Sequence, residues 1–506
     1  MSALMTDTFD TLALKARLEE GADAAPGETR IAGRVALSTA GQGAEALRLA
    51  RAAQPAWARV PLADRLAFLA AFHHDLRKNE DEFIGVLVAE GHPVQLARWE
   101  LSGVLAATHP TMIARISAQL DWSGEYGDRR IRLRRRPDGV VCLSPPRNAA
   151  ASNAMYGVVA LAAGNALVVN APPTSPLGVA YAYQEIVAPL LTEFGGPPGT
   201  LAVLCGHARP TLRSWLDSPD VDDICLFGPS DHGLRFEQQC VAAGKKPILE
   251  LSGNDGVLVW KDADLALAAT ALAECFTGSG QICMLPRYAL AHPDVAEPLI
   301  AAVADRARDL RPGLPEDPDT VLTPVIRRAE FTRVIAEATD AGAVLVTGGR
   351  LLDVHGAPAA QGPFAEPAVL RVDGLATAAR LAAVRDETFF PLLTVVVPEP
   401  GDDLLDRMLA FLDTSGYGLR NSLWAEDPDV VERFCAEVRG GLLKVNDSHI
   451  GFVPGLPVQG GPGRSGGAHG EANNALLRTT HAQGVSIGTG VVPRSAIFDH
   501  ATVNDA

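Results

Sequence analysis

No uninterrupted apolar run in the 506-residue chain is long enough to span a bilayer. The most apolar stretch, 155–169, is broken by Gly157, Gly164 and Asn165. The opening segment, MSALMTDTFDTLALKARLEE, carries acids and lacks the apolar centre of a secretory signal. Basic charge is also scarce, with 44 Lys and Arg against 60 Asp and Glu and a net charge of −16. Nucleic acids and anionic membrane surfaces need a basic face, so both are excluded as partners. The one arginine-rich segment, RRIRLRRRPDG at 129–139, alternates through Ile131 and Leu133 and reads as a solvated strand with its arginines outward. Seven cysteines (142, 205, 225, 240, 275, 283, 435) are an odd number with no CxxC pair, mostly in apolar contexts. That excludes a disulfide scaffold and a cysteine zinc site, and it suits a reduced, cytoplasmic protein without a metal. No internal repeat of solenoid period is visible.

What is present is a globular composition, 47% apolar and 21% charged. The length calls for two or three domains. Residues 43–76 show apolar positions at helical spacing with a break at Pro61, and more helix follows to about 117. From the arginine-rich strand the chain runs into GVVCLSPP, a β-run ended by two prolines. Between 151 and 260 helix and strand alternate, the strands being NALVVN, LAVLCG, DICLFG and KPILELSG. A second alternating block begins at DADLALAATALAECF and continues through PRYALAH, AVLVTGG, AVLRV, LLTVVVP, NSLWAE and GLLKVND to about 450. Alternation with continuously apolar strands predicts an α/β fold built on parallel sheets. The segment 454–472, PGLPVQGGPGRSGGAHGE, is rich in Gly and Pro but too varied for a linker, and is expected to be an ordered irregular loop.

Several residues are candidates for chemistry. Cys283 sits in TGSGQICMLPRYALAH, where Gly278, Ser279 and Gly280 let backbone amides approach a developing oxyanion; it is a nucleophile or a small buried core residue. Glu250 ends the apolar strand KPILELSG, at the strand end where α/β sites are built; it is a general base or an ion-pair partner of Lys245 or Lys246. Asn148, just past a strand end, is an oxyanion donor or the cap of the helix starting near 151. In FGPSDHG, Gly228 and Gly233 mark a strand-to-helix junction that brings phosphates to a helix N-terminus, or an ordinary turn. Glu387 and Phe389 stand just ahead of a strand in RDETFFPLLTVV and are unremarkable alone.

Taken in order, PDGVVCLSPPRN, LAAGNALVVN, FGPSDHG, ILELSGND with DADL, GSGQIC, DETFFP, YGLRNSLWAEDPD, VND and GGPGRSGGAHGE resemble the aldehyde dehydrogenase superfamily from about residue 43 to 485. The resemblance implies a nucleophile at Cys283, a general base at Glu250 and an oxyanion-holding amide at Asn148. It implies contacts to a nicotinamide ribose and ring from Glu387 and Phe389, and a pyrophosphate turn at Gly228, Ser230 and Gly233. The family's adenosine-ribose lysine and glutamate are replaced by Asn170 and Pro173, which leaves NAD against NADP open. Phe390 replaces a usual glycine, and Arg147 stands where an aromatic is common.

By the same resemblance the fold is two doubly wound parallel-sheet domains with a small oligomerisation arm. A cofactor domain is expected over 1–122 and 141–250, a catalytic domain over 251–453, an arm over 123–140 and 476–495, and a closing loop over 454–475. The implied activity is NAD(P)-dependent oxidation of an aldehyde to an acid through a cysteine thioester, in a homodimer or homotetramer. The short span from Asn148 to Asn165 resembles the CoA-acylating branch, in which CoA or a carrier thiol would accept the acyl group, whereas Glu250 speaks for water. A cofactor-poor binding or structural relative is the third alternative.

Overall fold

The computed structural model describes residues 9–10, 34–126 and 129–488. The expectations for the remainder of the N-terminal segment and for 127–128 and 489–495 of the arm therefore lie outside the described residues. The helical region opens with Ala40–Arg59, fixed by a reciprocal cap in which Thr39 and Gln42 each accept the other's backbone N–H. Pro61 separates it from Leu62–Lys78, as the sequence predicts, and Glu80–Ala89, Val94–Ala107 and Pro110–Ser117 follow.

The arginine-rich segment is indeed a strand. β1 (Asp121–Tyr126) pairs antiparallel with β2 (Arg129–Pro137). Arg132 meets Asp121 across the pair, so the charge is spent on the neighbouring strand. The chain then enters a five-stranded sheet made of β3 (Val140–Ser144), β4 (Ala166–Ala171), β5 (Leu201–Cys205), β6 (Asp223–Phe227) and β7 (Lys246–Glu250). Its order is β5–β4–β3–β6–β7 and every pair is parallel. Helices cover both faces, which is why β3, β4 and β5 are buried at every residue and read as unbroken apolar runs. The strand order reverses beside β3. A crevice therefore opens between the carboxyl ends of β3 and β6, the place where open α/β sheets bind ligands.

A seven-stranded sheet follows. Its strands are β8 (Asp255–Val259), β9 (Pro286–Ala291), β10 (Val344–Thr347), β11 (Ala368–Asp373), β12 (Leu392–Val397), β13 (Arg420–Trp424) and β14 (Leu442–Val445). The order is β10–β11–β12–β9–β8–β13–β14, parallel except for β10 against β11. The sequence reading passes over β8, because Gly253, Asn254 and Asp255 look like a turn. It lies between β9 and β13, and its five residues are all buried. β15 (Thr480–Gly488) returns to pair with β2 and completes the three-stranded arm sheet, on which Trp122, Leu133 and Ile487 are exposed.

The two parallel sheets are joined by Leu251–Asn254, which leaves β7 at Glu250 and enters β8 at Asp255. The carboxyl edge of the first sheet thus adjoins the amino edge of the second. The link passes so close to the segment before β9 that a Cβ on Gly253 would lie 2.1 Å from the Cys283 carbonyl oxygen. We expect Gly253→Ala to cost about 1–3 kcal/mol of stability by overpacking. A thermal unfolding midpoint equal to that of the parent would contradict this reading of the link.

Candidate active site

Where the two edges meet lies a cavity of about 320 Å³. Asn148 reaches it from beyond β3, Gly228 from beyond β6, and Glu250 from the last position of β7. Cys283 enters from the segment before β9, and Glu387 with Phe389 from the segment before β12. Six candidates from distant parts of the chain therefore line one space. Asn170, Pro173, Ser230 and Gly233 are not among its lining residues.

Cys283 is presented by a strained turn. Gly278, Ser279 and Gly280 all have positive φ (58°, 53° and 72°). Glycine adopts that region freely, but Ser279 does so only because the neighbourhood holds it. Its hydroxyl donates to the Thr323 carbonyl at 2.6 Å and accepts from the Thr323 amide at 2.8 Å. Gln281 is tied to the same segment through Pro324 and Ile326. At Gly280 a Cβ would lie 2.2 Å from the Phe390 carbonyl oxygen, so only glycine passes there. On the other flank the buried guanidinium of Arg287 donates to the Gly280 carbonyl at 2.7 Å and to the Ile282 carbonyl. Five other cysteines are buried, whereas Cys283 is partly exposed. Burial, together with the charges of Glu387, Asp255 and Glu250, pushes its thiol up to about 12, against a smaller opposing effect of Arg287. The thiol is neutral at physiological pH and needs a base to become a nucleophile.

Asn148 does not cap a helix. Its Nδ2 donates to the Gln281 carbonyl at 2.8 Å, which sets the amide beside the cysteine turn. An amide nitrogen carries two protons, and this bond uses one. Nor does Glu250 pair with the neighbouring lysines. Lys245 donates to the Ser218 and Val221 carbonyls, and Lys246 to Asp138 and the Thr480 carbonyl. Burial raises the Glu250 carboxyl to about 7, although Asn473, Arg478 and the Gly460 amide pull the other way. A carboxyl that titrates near neutrality, on the wall of a cavity containing a thiol, is suited to proton transfer.

The remaining candidates surround the crevice. Glu387 accepts from the Gly253 amide at 3.2 Å, and burial raises its pKa. Phe389 lies under the Arg327 guanidinium, 5.4 Å from the ring centroid. Ser230 opens the helix Ser230–Ala242 after β6, and among the described residues its buried hydroxyl has no partner. Gly228, just before it, has open space where a side chain would be. Gly233 has a different duty: a Cβ would lie 2.2 Å from a Leu251 methyl, so it lets this helix press onto the link. Asn170, near the end of β4, donates to the Gly206 carbonyl at 2.9 Å, while among the described residues its buried Oδ1 has no donor. A helix N-terminus without a side-chain cap from Pro229, whose first amide reaches the Ser252 hydroxyl at 3.4 Å, an open glycine and two polar atoms without partners among the described residues fit a phosphorylated dinucleotide.

A model of the aldehyde dehydrogenase family matches residues 15–485. The chain belongs to that family. It is similar to the N-succinylglutamate 5-semialdehyde dehydrogenase of Novosphingobium aromaticivorans, 29% identical, with 83% of this chain and 87% of that protein covered. It is also similar to the vanillin dehydrogenase of Pseudomonas fluorescens, 28% identical, with 84% and 86% covered. Among solved structures, an aldehyde dehydrogenase of Mycobacterium tuberculosis complexed with NAD+ superposes with a TM-score of 0.78 at 26% identity, covering 92% of this chain and 94% of that one. The fold is shared with the glyceraldehyde-3-phosphate dehydrogenase of Methanocaldococcus jannaschii complexed with NADP, with a TM-score of 0.80 at 22% identity and 96% and 100% covered.

Sequence reasoning missed several residues of this family member's cavity. Arg287 lies outside the cavity lining but clamps the cysteine turn from within β9, and inside that apolar strand nothing in the sequence marks it. Glu100 and Asn473 line the cavity from a helix and from the segment 454–475 and belong to no motif, and Gln459 lines it from the Gly/Pro-rich stretch, where nothing in the sequence marks it for the site. Among the described residues no helix is long and apolar enough to cross a membrane, and no cluster of His, Cys, Asp or Glu is placed to hold a metal.

The raised carboxyl has a consequence for stability. Between the unfolded value of 4.5 and the folded value of about 7, the native state holds a proton that the unfolded chain releases. Native stability therefore falls as pH rises through that window. Glu250→Gln removes the effect, so we expect the variant to exceed the parent by about 1–3 kcal/mol at pH 8 and to match it near pH 4.5. Parallel melting curves with no pH-dependent difference would contradict the buried carboxylate.

Proposed function

We propose that Cys283, Asn148 and Glu250 carry the chemistry of this chain, which is an NAD(P)-dependent aldehyde dehydrogenase oxidising aldehydes to acids. The observation that supports the assignment best is the shared cavity, because thiol, amide and carboxylate arrive there from three separate strand ends.

Under this reading Glu250 takes the proton that Cys283 cannot shed unaided, and the sulfur adds to the aldehyde carbon. The resulting oxyanion is held by the second Nδ2 proton of Asn148 and by the Cys283 amide. A nicotinamide dinucleotide bound along the crevice supplies the oxidant that removes two electrons and the aldehyde hydrogen. Cys283 is then left as a thioester. Glu250, having lost its proton to solvent, takes one from water; the water oxygen adds to the thioester carbon, and the thiolate departs with release of the acid. Gly228 and Ser230 would hold the pyrophosphate, with Gly233 keeping their helix close. Glu387 and Phe389 would hold the nicotinamide end, and Asn170 with Pro173 the adenosine ribose. With no acid at Pro173, a 2′-phosphate meets no repulsion, so both NAD and NADP are to be assayed.

The substrate we infer is a small uncharged aldehyde with an apolar or aromatic body. Trp99, Met112, Ile282, Met284 and Phe452 line the cavity, and Trp99 stacks on Phe452 at 5.2 Å between centroids. Leu285, by contrast, packs in the core behind the cysteine turn. Glu100 in the same wall is spent on His92 at 2.7 Å and on the Ser152 hydroxyl, so the apolar side chains set the preference. This matches the aromatic aldehyde in the name of the vanillin relative better than the acidic semialdehyde in that of the other. We assign the site to the junction of a cofactor domain and a catalytic domain. The exposed apolar residues of the arm sheet suggest assembly as a homodimer or homotetramer in the cytoplasm, where the unpaired cysteines stay reduced.

The test is turnover of a panel of aromatic, aliphatic and carboxylate-bearing aldehydes with each cofactor, read as reduced nicotinamide absorbance. Cys283→Ala should abolish turnover. Glu250→Gln should slow both the first burst of reduced cofactor and the steady-state rate, the latter by about 10²–10⁴-fold. Turnover surviving Cys283→Ala would refute the mechanism; acid formation appearing only when CoA is added would replace water by a thiol as acceptor. Light scattering at the mass of one chain would refute the assembly.

A further inference from the structure

The closing loop makes one contact with the chemistry that the mechanism above does not use. Gln459 and Asn473 form an isolated antiparallel bridge across its two ends, with the Asn473 amide donating to the Gln459 carbonyl at 2.8 Å. The bridge is tight: a Cβ on Gly460 would lie 2.5 Å from Asn473 Nδ2, and Gly460 itself has φ of +88°. From this pinned backbone Asn473 extends its Nδ2 to Glu250 Oε1 at 2.5 Å. The side chain is buried and its Oδ1 has no donor, so among the described residues its hydrogen bonding is directed at Glu250 alone.

The other groups facing Glu250 give it no comparable hold. Tyr156, Cys225 and Cys283 are near enough to feel its charge, and their neutral forms are favoured by burial. Arg478 is a nearby cation whose Nη1 donates to the His469 carbonyl and to Glu471, and among the described residues no hydrogen bond joins it to Glu250. The Gly460 backbone is the remaining donor. A buried carboxylate in an apolar wall swings or protonates unless something fixes it, and here the fixing group is a neutral amide.

We propose that Asn473 is the positioning residue of the hydrolytic step, aiming and holding the Glu250 carboxylate from the closing loop. This rests on the reading of Glu250 as the base that activates water. An amide donor stabilises the ionised carboxylate, so its loss drives the carboxyl further up and demands a higher pH for the same fraction of base. An aspartate at 473, which preserves the shape, replaces the donor by a second carboxyl and acts more strongly in the same direction.

The experiment compares Asn473→Ala and Asn473→Asp with the parent and with Glu250→Gln in the full chain, by kcat–pH profile and by pre-steady-state burst of reduced cofactor. We expect the acid limb of kcat to move up by about one pH unit in Asn473→Ala and further in Asn473→Asp. The burst should persist, and the KM for aldehyde should change less than about threefold. Limbs that coincide with the parent in both variants, with burst and turnover both slowed in Glu250→Gln, would overturn the role of Asn473 while leaving Glu250 as base. Undiminished turnover in Glu250→Gln would instead overturn the reading of Glu250 itself. Should Asn473→Ala fail to fold, the isosteric Asn473→Asp decides alone.

Discussion

The structure depends on one close passage, where the link Leu251–Asn254 crosses the cysteine turn. Gly253 lies so near the Cys283 carbonyl that no side chain fits between them. The same glycine donates its amide to Glu387. A carboxylate ending the first sheet, a thiol entering the second and a loop acid entering the neighbouring strand are thereby held around one short piece of backbone. Move that backbone by an ångström and all three displace together, because close-packed interiors transmit displacement rather than absorb it.

Desolvation at this junction sets the chemistry. The same burial that raises the Cys283 thiol to about 12 raises Glu250 to about 7. The thiol is therefore inert alone, and the carboxyl becomes a base only as pH rises to neutrality and above. Under the proposed roles such a pairing would keep the sulfur quiet until Glu250 accepts its proton. The neutral partners chosen around Glu250 matter for the same reason: a lysine or arginine bonded to it would hold the carboxylate ionised and weaken it as a base. The turn at 278–280 is a second device of this kind. Its left-handed backbone is tolerated because Thr323, Gln281 and Arg287 supply bonds on every side.

Much of this was legible beforehand. Strands that are buried on both faces read as continuous apolar runs, so GVVCLSPP, NALVVN, LAVLCG and DICLFG were found at once. β8 was not, since its polar entry at Gly253–Asp255 imitates a turn although the strand lies inside the second sheet. Cys283 could be singled out by the small residues before it and Glu250 and Asn148 by their places at strand ends, whereas Glu387 and Phe389 stood out only through the family resemblance of DETFFP. Arg287 and Asn473 could not. A buried arginine looks like any other charge in one dimension, and Asn473 belongs to an irregular loop whose path no periodicity describes.

Sequence alone determined the α/β class, the run of strands and helices, and the short list of residues able to do chemistry. These follow from local rules: apolar periodicity, strand-end placement and the reactivity of each side-chain type. Only the folded chain decided that thiol, amide and carboxylate share one cavity, that Glu250 answers to Asn473 rather than to Lys245 or Lys246, and that Gly233 serves packing. Those outcomes depend on which strand edges face each other and on how much water the junction excludes. Both are properties of the packed whole, and neither is carried by any stretch of residues taken singly.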